Sequence, residues 1–359
     1  MSGKRVVFHG ANASPCLEVQ ESEIPSISEG EILGTLVTVT ICGSDLHTVR
    51  GKRKEATPSV LGHEGVVEVI SHKRKNSNLV QGDRVTFHVA DCCYSCEFCL
   101  DGLHQKCKTL FKYGHALLCN ETGWNGCYAT HIVLRKGTHV VKIPEHIPSK
   151  VAAPLNCALA TMVAAVDEIH KRRTGQKETT RKRMALIQGA GLLGIYGCAL
   201  LHEAGYDKVY CSDISSERLK MVSRFAGIPL GPDQEHLEKN SIDTVIEVCG
   251  VRQVLSEGIR VLRPGGTYVL VGMVHPDSRL DMVTAEQIIR KCLTIKGVHN
   301  YGPLHLDQAV SFIDQTASKF PYADLFSPTY RLENITSAFE LAEEQKYFRV
   351  LIEPREHIP

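Results

Sequence analysis

From Lys4 to about Pro144 the chain alternates apolar and polar positions in short β-branched runs broken by Gly, Pro and Asp: RVVFH, EILGTLVTVTICG, GHEGVVEVIS, GDRVTFHV, YATHIVLRK and HVVKIP. Many such strands with little helical periodicity predict a compact all-β barrel. From about Ala158 the rhythm changes. MALIQ, KVYCSD, TVIEVCG, TYVLVGM and LTIKGV alternate with helical stretches such as IYGCALLHEAG, SSERLKMVSRFAG, QVLSEGIRVLR and AEQIIRKC. Strands alternating with helices of roughly ten to fifteen residues predict a parallel, doubly wound sheet. The run Pro264-Gly265-Gly266 reads as a turn ahead of a buried strand. The last stretch, FSPTYRLENITSAFELAEEQKYFRVLIEPR, offers a strand, an amphipathic helix and a final strand that returns to the first domain. The expected division is residues 1–157 with 300–359 as one domain and 158–299 as the other, α/β overall.

A chain of 359 residues is long for one core, which agrees with two domains. Its net charge of +1, with 23% charged residues, argues against a nucleic-acid or membrane-surface partner. No apolar run approaches the roughly 18 residues that span a bilayer, and the opening MSGKRVVFHG lacks a signal-peptide core. A soluble, cytoplasmic protein is expected. One strongly basic segment, HKRRTGQKETTRKR between Ile169 and Met184, is either a solvated loop or helix end at the domain junction or a partner-binding patch.

Three groups of residues carry chemistry. Cys93, Cys96, Cys99 and Cys107 form a Cys-x2-Cys-x2-Cys-x7-Cys run, and four thiolates at such intervals can close a tetrahedron around zinc. Disulfides or a cluster of free thiols do not explain such crowding in a large chain with no export signal. Four thiolates leave no open position, so this metal is expected to staple a lobe at 92–108. The other cysteines, Cys16, Cys92, Cys119, Cys127, Cys198, Cys211, Cys249 and Cys292, read as ordinary residues. Gly189, Gly191 and Gly194, with Leu192 and Leu193, form a Gly-x-Gly-x-x-Gly turn between a strand and a helix, suited to a dinucleotide pyrophosphate. Asp213 ends the next strand, where a carboxylate accepts ribose hydroxyls and repels a 2′-phosphate. NAD is therefore favoured over NADP, although Arg218 is a nearby cation that could tolerate the phosphate. The third group is Cys42, His63 and Cys157, a set of two thiolates and an imidazole that balances a dication and leaves a corner for an alcohol.

In chain order CGSDLH (Cys42 to His47), GHE (Gly62 to Glu64), the four-cysteine lobe and GAGLLG with Asp213 resemble the zinc-containing medium-chain dehydrogenase/reductase family, the alcohol and polyol dehydrogenases, across nearly the whole chain. The resemblance implies a GroES-like β-barrel catalytic domain and a Rossmann domain, two zinc ions per chain, an alcohol or carbonyl substrate, and a homodimer or homotetramer paired through the nucleotide domains. It implies catalytic zinc on Cys42, His63 and Cys157, with Glu64 either a ligand that comes and goes or a close carboxylate. Asp45 would orient His63. Ser44 would take the alcohol proton and pass it through the nicotinamide ribose to His47. Two departures stand out: Ala153, where polyol-type members often carry Glu, and Tyr94, where a glycine is common.

The substrate is the least determined part. In this family the loop after CGSDLH borders the substrate pocket, and here it carries Arg50, Lys52, Arg53 and Lys54. These cations either clamp an anionic substrate or form a solvated loop. KYGHA (Lys112 to Ala116) and GVHNY (Gly297 to Tyr301) are similar to a branch associated with phosphonate catabolism. A hydroxyalkyl phosphonate or phosphate thus competes with a neutral polyol or simple alcohol. A zinc-free quinone reductase is disfavoured by the GHE and four-cysteine motifs, and the non-enzymatic alternative is a zinc-stapled NAD-binding redox sensor.

Overall fold

The structure, a computed structural model, describes residues 2–119, 123–171, 181–232, 237–275, 277–281 and 283–355. Most of the basic segment expected between Ile169 and Met184 lies outside the described residues. The alternating N-terminal runs become β1 (Ser2–Phe8), β2 (Leu17–Glu23), β3 (Ile32–Ile41), β4 (Ser59–Val60), β5 (Glu64–His72), β6 (Arg84–Phe87), β7 (Ala90–Asp91), β8 (Phe111–Lys112), β9 (His131–Leu134) and β10 (Val140–Lys142). Then come β11 (Met184–Gln188), β12 (Lys208–Ser212), β13 (Ile228–Leu230), β14 (Ile242–Glu247), β15 (Leu262–Leu270) and β16 (Thr294–Gly297), with β17 (Phe326–Arg331) and β18 (Arg349–Glu353) near the end. Contacts gather into two units: Met1–Cys157 with Gly302–Ala317 and Tyr322–Pro359, and Ala158–Tyr301 with Ser318–Pro321.

In the first unit a seven-stranded sheet runs β10-β6-β5-β3-β18-β17, with β9 also paired to β3. β3 is the hub. Its ten residues are mostly buried and rich in Val, Thr and Ile, which suit a pleated, packed surface. It pairs antiparallel with β5, with β9 and with β18. Register shifts at Leu33/Gly34 and Leu36/Thr38 bend it, as bulges do, so that one strand serves three partners. Gly34 marks the closest approach: a Cβ there would lie 2.1 Å from a Val67 methyl. Leu36, Val39, Val67, Phe87, Tyr128, Ile132, Phe339 and Ile352 fill the core beneath.

Four short or terminal helices matter for the site: α1 (Gly43–Val49) follows β3, α2 (Glu97–Leu100) lies in the cysteine lobe, and α3 (Ser149–Ala152) and α4 (Ala160–Lys171) flank Cys157. By length and composition alone the helical stretch Ser149–Lys171 could cross a membrane, but 78% of its most apolar part is buried, as in a core helix.

The second unit holds a six-stranded, all-parallel sheet in the order β13-β12-β11-β14-β15-β16. β14 is buried along its whole length, and β11 in all but Met184, as expected where helices cover both faces. The expected turn at Pro264 to Gly266 is instead an irregularity inside β15. Gly265 adopts φ +75° and the pairing with β14 slips between Ile242 and Thr244, so the strand continues past the bulge.

Candidate active site

β3 ends at Ile41 and the chain turns into α1, which brings Cys42 to the sheet edge; β5 begins one residue after His63. The Asp45 carboxylate closes the first turn of α1 by accepting from the Cys42 backbone N–H at 3.0 Å, and it also accepts from the Tyr128 hydroxyl at 2.8 Å. Its other oxygen lies 3.5 Å from His63 Nδ1, close enough for charge attraction though without hydrogen-bond geometry. With Nδ1 turned to Asp45, Nε2 is the ring atom left for a ligand. Asn156 holds the loop from the other side, its amide donating to the backbone carbonyls of His63 (2.8 Å) and Phe87 (3.1 Å).

Donor atoms of Cys42, His63, Glu64 and Cys157 all lie within 4.8 Å of one another. The two sulfurs are 3.9 Å apart and unbridged, close to the roughly 3.8 Å edge of a tetrahedron with zinc–sulfur bonds of about 2.3 Å. The electrostatics of the pocket call for a cation. Burial pushes the His63 imidazole down, but Asp45 and the Cys42 sulfur override it and hold the pKa at about 10. The hydrogen bond to Cys157 holds the Cys42 thiol well below its ordinary value, against the opposing effect of burial and with help from Arg349 and His63. A soft dication satisfies this donor set directly.

Glu64 is fully buried, and Arg349 at the start of β18 grips it as a fork: Nε to Oε2 at 2.8 Å and Nη2 to Oε1 at 2.9 Å. Thr40 Oγ1 adds 2.6 Å to Oε2, and Arg349 Nη2 reaches Cys42 Sγ at 3.7 Å. Arg349, Thr40 and Tyr128 escape the sequence reading. The sequence signal was a cation opening a short strand with an apolar middle, RVLIE.

α1 carries Ser44 and His47 three residues apart, hence on one helical face. Ser44 is half-buried and His47 reaches the surface. Burial, then Lys52 and Arg50, push the His47 pKa below its ordinary value. The basic loop behaves mostly as a locally paired surface: Arg50 Nε lies 2.6 Å from Glu343 and Arg53 Nε 2.7 Å from Glu55. Two of the four loop cations, Arg50 and Arg53, thus already have carboxylate partners, which favours reading those two as solvated surface charge.

In the cysteine lobe, Cys93, Cys96, Cys99 and Cys107 bring their sulfurs within 4.8 Å of one another, with Sγ separations of 4.0 Å (Cys93–Cys99), 3.9 Å (Cys96–Cys107) and 3.5 Å (Cys93–Cys107). All fourteen cysteines of the chain are free. Backbone N–H groups of Ser95 and Cys96 point at Cys93 Sγ, and those of Cys93 and Thr109 at Cys107 Sγ. The bonds from Ser95 and Cys96 hold the Cys93 thiol down at about 5. Cys92, Cys99 and Cys107 form a buried cluster in the lobe with Cys96 packed against it, so sulfur takes the place of apolar side chains and the donor set fits a structural metal. Tyr94 stands at φ +56°, where a side chain is strained. Tyr94→Gly is expected to stabilise the lobe by about 0.5–1 kcal/mol, after allowing for the greater freedom of glycine in the unfolded chain; melting curves of the two proteins check this.

In the second unit Gly189 follows β11 at φ +113° and leads into α5 (Leu192–Glu203). A Cβ on Gly194 would sit 1.9 Å from the Gly189 carbonyl, whereas one on Gly191 would meet nothing within 4 Å. The first contact lets the helix pack on the turn; the second leaves open space where a phosphate could approach the backbone. Leu192 is buried beneath the turn and Leu193 is half-buried. Asp213 accepts from the Ala190 N–H at 2.7 Å and the Ser215 N–H at 2.8 Å, which fixes its carboxylate beside the glycine turn. Arg218 lies one turn into α6 (Ser216–Val222). A hollow of about 510 Å³, lined by Gly250, Val251, Gln253 and His275 among others, opens beyond the carboxyl ends of β14 and β15, where ligands bind in open parallel sheets.

Comparison with known proteins agrees with this architecture. Residues 28–145 match the family model "Alcohol dehydrogenase GroES-like domain", and residues 159–352, more than half of the chain, match "Glucose dehydrogenase C-terminus". The chain is 25% identical to 5-exo-hydroxycamphor dehydrogenase of Pseudomonas putida, covering 94% of this chain and 95% of that one. It is 26% identical to L-threonine 3-dehydrogenase of Pyrococcus furiosus, covering 83% and 84%. The crystal structure of an alcohol dehydrogenase from Thermotoga maritima superposes with a TM-score of 0.89 at 26% identity, covering 99% of this chain and all of that one. With a GroES-like half, a parallel nucleotide-binding half and two thiol-rich donor sets, this chain belongs to the zinc-type medium-chain alcohol and polyol dehydrogenases and is an oxidoreductase acting on small-molecule alcohols or their carbonyl products.

Proposed function

We propose that this protein is an NAD-linked dehydrogenase that oxidises a primary or secondary alcohol to an aldehyde or ketone, holding one catalytic zinc on Cys42, His63 and Cys157 and one structural zinc on the four lobe cysteines. The observation that carries the reading is the convergence of the Cys42, His63 and Cys157 donors, with the neighbouring Glu64 tied to Arg349. The bound metal supplies Lewis acidity toward a hydroxyl and the nicotinamide supplies the hydride acceptor. The rest is the work of the chain. Asp45 keeps the His63 ring oriented, and Arg349 with Thr40 holds Glu64 in reserve rather than in permanent coordination.

Ser44 Oγ accepts the substrate hydroxyl proton, and His47, three residues along α1 and at the surface, releases a proton to water. The lowered pKa of His47 leaves its ring neutral near pH 7 and able to accept. Oxidation is therefore expected to fade as pH falls through a value below the ordinary 6.5 of histidine, and His47→Gln should erase that limb of the kcat/KM profile. Ser44→Ala should keep its full metal content and lose about 100-fold or more in turnover, the usual scale of a proton-transfer group. Undiminished turnover in that variant removes the relay.

Asp213, beside the open face of Gly191, supports NAD over NADP, with Arg218 as the residue that would admit a 2′-phosphate. A homodimer or homotetramer is supported by β16, an edge strand of the six-stranded sheet, accompanied by exposed Ile289 and Val274. The deciding experiment is an NAD-linked screen of small alcohols, polyols and hydroxylated anions with the zinc-loaded protein.

A further inference from the structure

Cys42, His63 and Cys157 sit on three separate backbone segments: one after β3, one before β5 and one between α3 and α4. Asp45 fastens the first two, accepting from the Cys42 N–H at 3.0 Å and facing His63 Nδ1 at 3.5 Å. The third is fastened by the neighbour of Cys157. Asn156 is fully buried, and every other buried side chain from Val151 to Leu159 is apolar. Its Nδ2 donates to the His63 carbonyl at 2.8 Å and to the Phe87 carbonyl at 3.1 Å, so both amide hydrogens are committed.

Those two carbonyls lie where a sheet pairing gives out. The antiparallel ladder of β5 with β6 joins Val67 to Val85 and Glu68 to Arg84 and does not extend to His63 and Phe87. The Asn156 amide bridges this open end to the turn that carries Cys157. Residues Leu155–Leu159 form a π-helical turn, a form found mostly as single turns at functional sites. Pro154 ahead of it has no N–H with which to carry the bonding of α3 onward, yet the Cys157 sulfur comes to 3.9 Å from that of Cys42.

A buried amide is tolerated only when it is hydrogen-bonded, and filling a core does not call for one. Resting on the zinc-dehydrogenase reading above, we propose that Asn156 is a positioning residue: it presets the Cys157 sulfur against Cys42 and His63 before a metal arrives, as Asp45 presets His63. The carboxamide suits this place because it offers two N–H donors without charge. A carboxylate of the same shape offers none and would face two carbonyl oxygens.

The test uses the full-length protein with Asn156→Asp, which keeps the shape and loses the donors, and Asn156→Ala, which removes the group. Competition with a chelator should show zinc affinity at the Cys42–His63–Cys157 site lower by about 10–100-fold in both variants, the usual loss when a group supporting a metal ligand is removed. The four-cysteine lobe should keep its metal throughout. With zinc left in the lobe and cobalt(II) in the other site, the sulfur-to-cobalt absorption per bound cobalt should fall toward that of a single thiolate. A merely structural lesion lowers the melting temperature and leaves that absorption unchanged. In crystals of metal-free Asn156→Ala the sulfurs of Cys42 and Cys157 should stand further apart than 3.9 Å. Unaltered zinc affinity and cobalt absorption in either folded variant would overturn the inference and leave the dehydrogenase reading intact. An unmutated protein that takes up metal only in the lobe would instead defeat that reading. The metal-free crystals then decide the role of Asn156 alone, against it if the two sulfurs keep their separation.

Discussion

Replacing Cys157 by Ala is expected to abolish turnover and to remove one of two metal equivalents while leaving the other in place. The Cys157 sulfur is one corner of a donor set whose remaining members are Cys42, His63 and Glu64, and Glu64 is already committed to Arg349 and Thr40. Loss of a direct ligand should exceed the roughly 10–100-fold loss of metal affinity that follows mutation of a supporting partner. The lobe sulfurs of Cys93, Cys96, Cys99 and Cys107 form a separate cluster, so metal analysis should fall from two equivalents to one. A Cys157→Ala protein that keeps both metals and full turnover would mean that Cys157 is no ligand.

Arg349→Met is expected to be the most destabilising single change outside the hydrophobic core, at about 3–5 kcal/mol, because it strands a buried carboxylate beside an anionic sulfur. The cost should depend on pH in a definite direction. Burial raises the Glu64 pKa even with Arg349 present to oppose it, and removing the guanidinium raises it further. A carboxylate whose folded pKa lies above its unfolded one contributes stability below the unfolded value and loses it as pH rises through the folded one. The deficit of Arg349→Met should therefore shrink in acid and be full at neutral pH. Adding Glu64→Gln should recover much of it, a coupling that unfolding measurements on the single and double variants would expose.

What the sequence made legible was local. The four lobe cysteines, the glycine turn and the run from Cys42 to His47 stand out over spans of fifteen residues or fewer, but the helix that carries Ser44 and His47 was not among the expectations. The change from period two to strand–helix alternation likewise marked the change from mixed to parallel sheet. What escaped was non-local. Arg349 meets Glu64 across 285 residues because β3 pairs with β18 on one side and β5 on the other, and Arg50 is neutralised by Glu343 across 293. Neither partner can be read from a spacing, so one cation went unnoticed and another looked free. The Pro264 to Gly266 run failed differently: turn residues can also be bulge residues, and the pairing of β15 with β14 decides which.

The two proposed zinc sites differ in kind, one closed by four thiolates and one left open for chemistry. Zinc analysis of the purified protein before and after timed exposure to a chelator, with NAD-linked alcohol oxidation followed in parallel, tests it most directly. Two zinc per chain are expected, with the first lost carrying turnover away, readdition of zinc restoring it, and the second retained until the lobe unfolds. A single zinc per chain, or turnover that survives removal of the more labile ion, would contradict it.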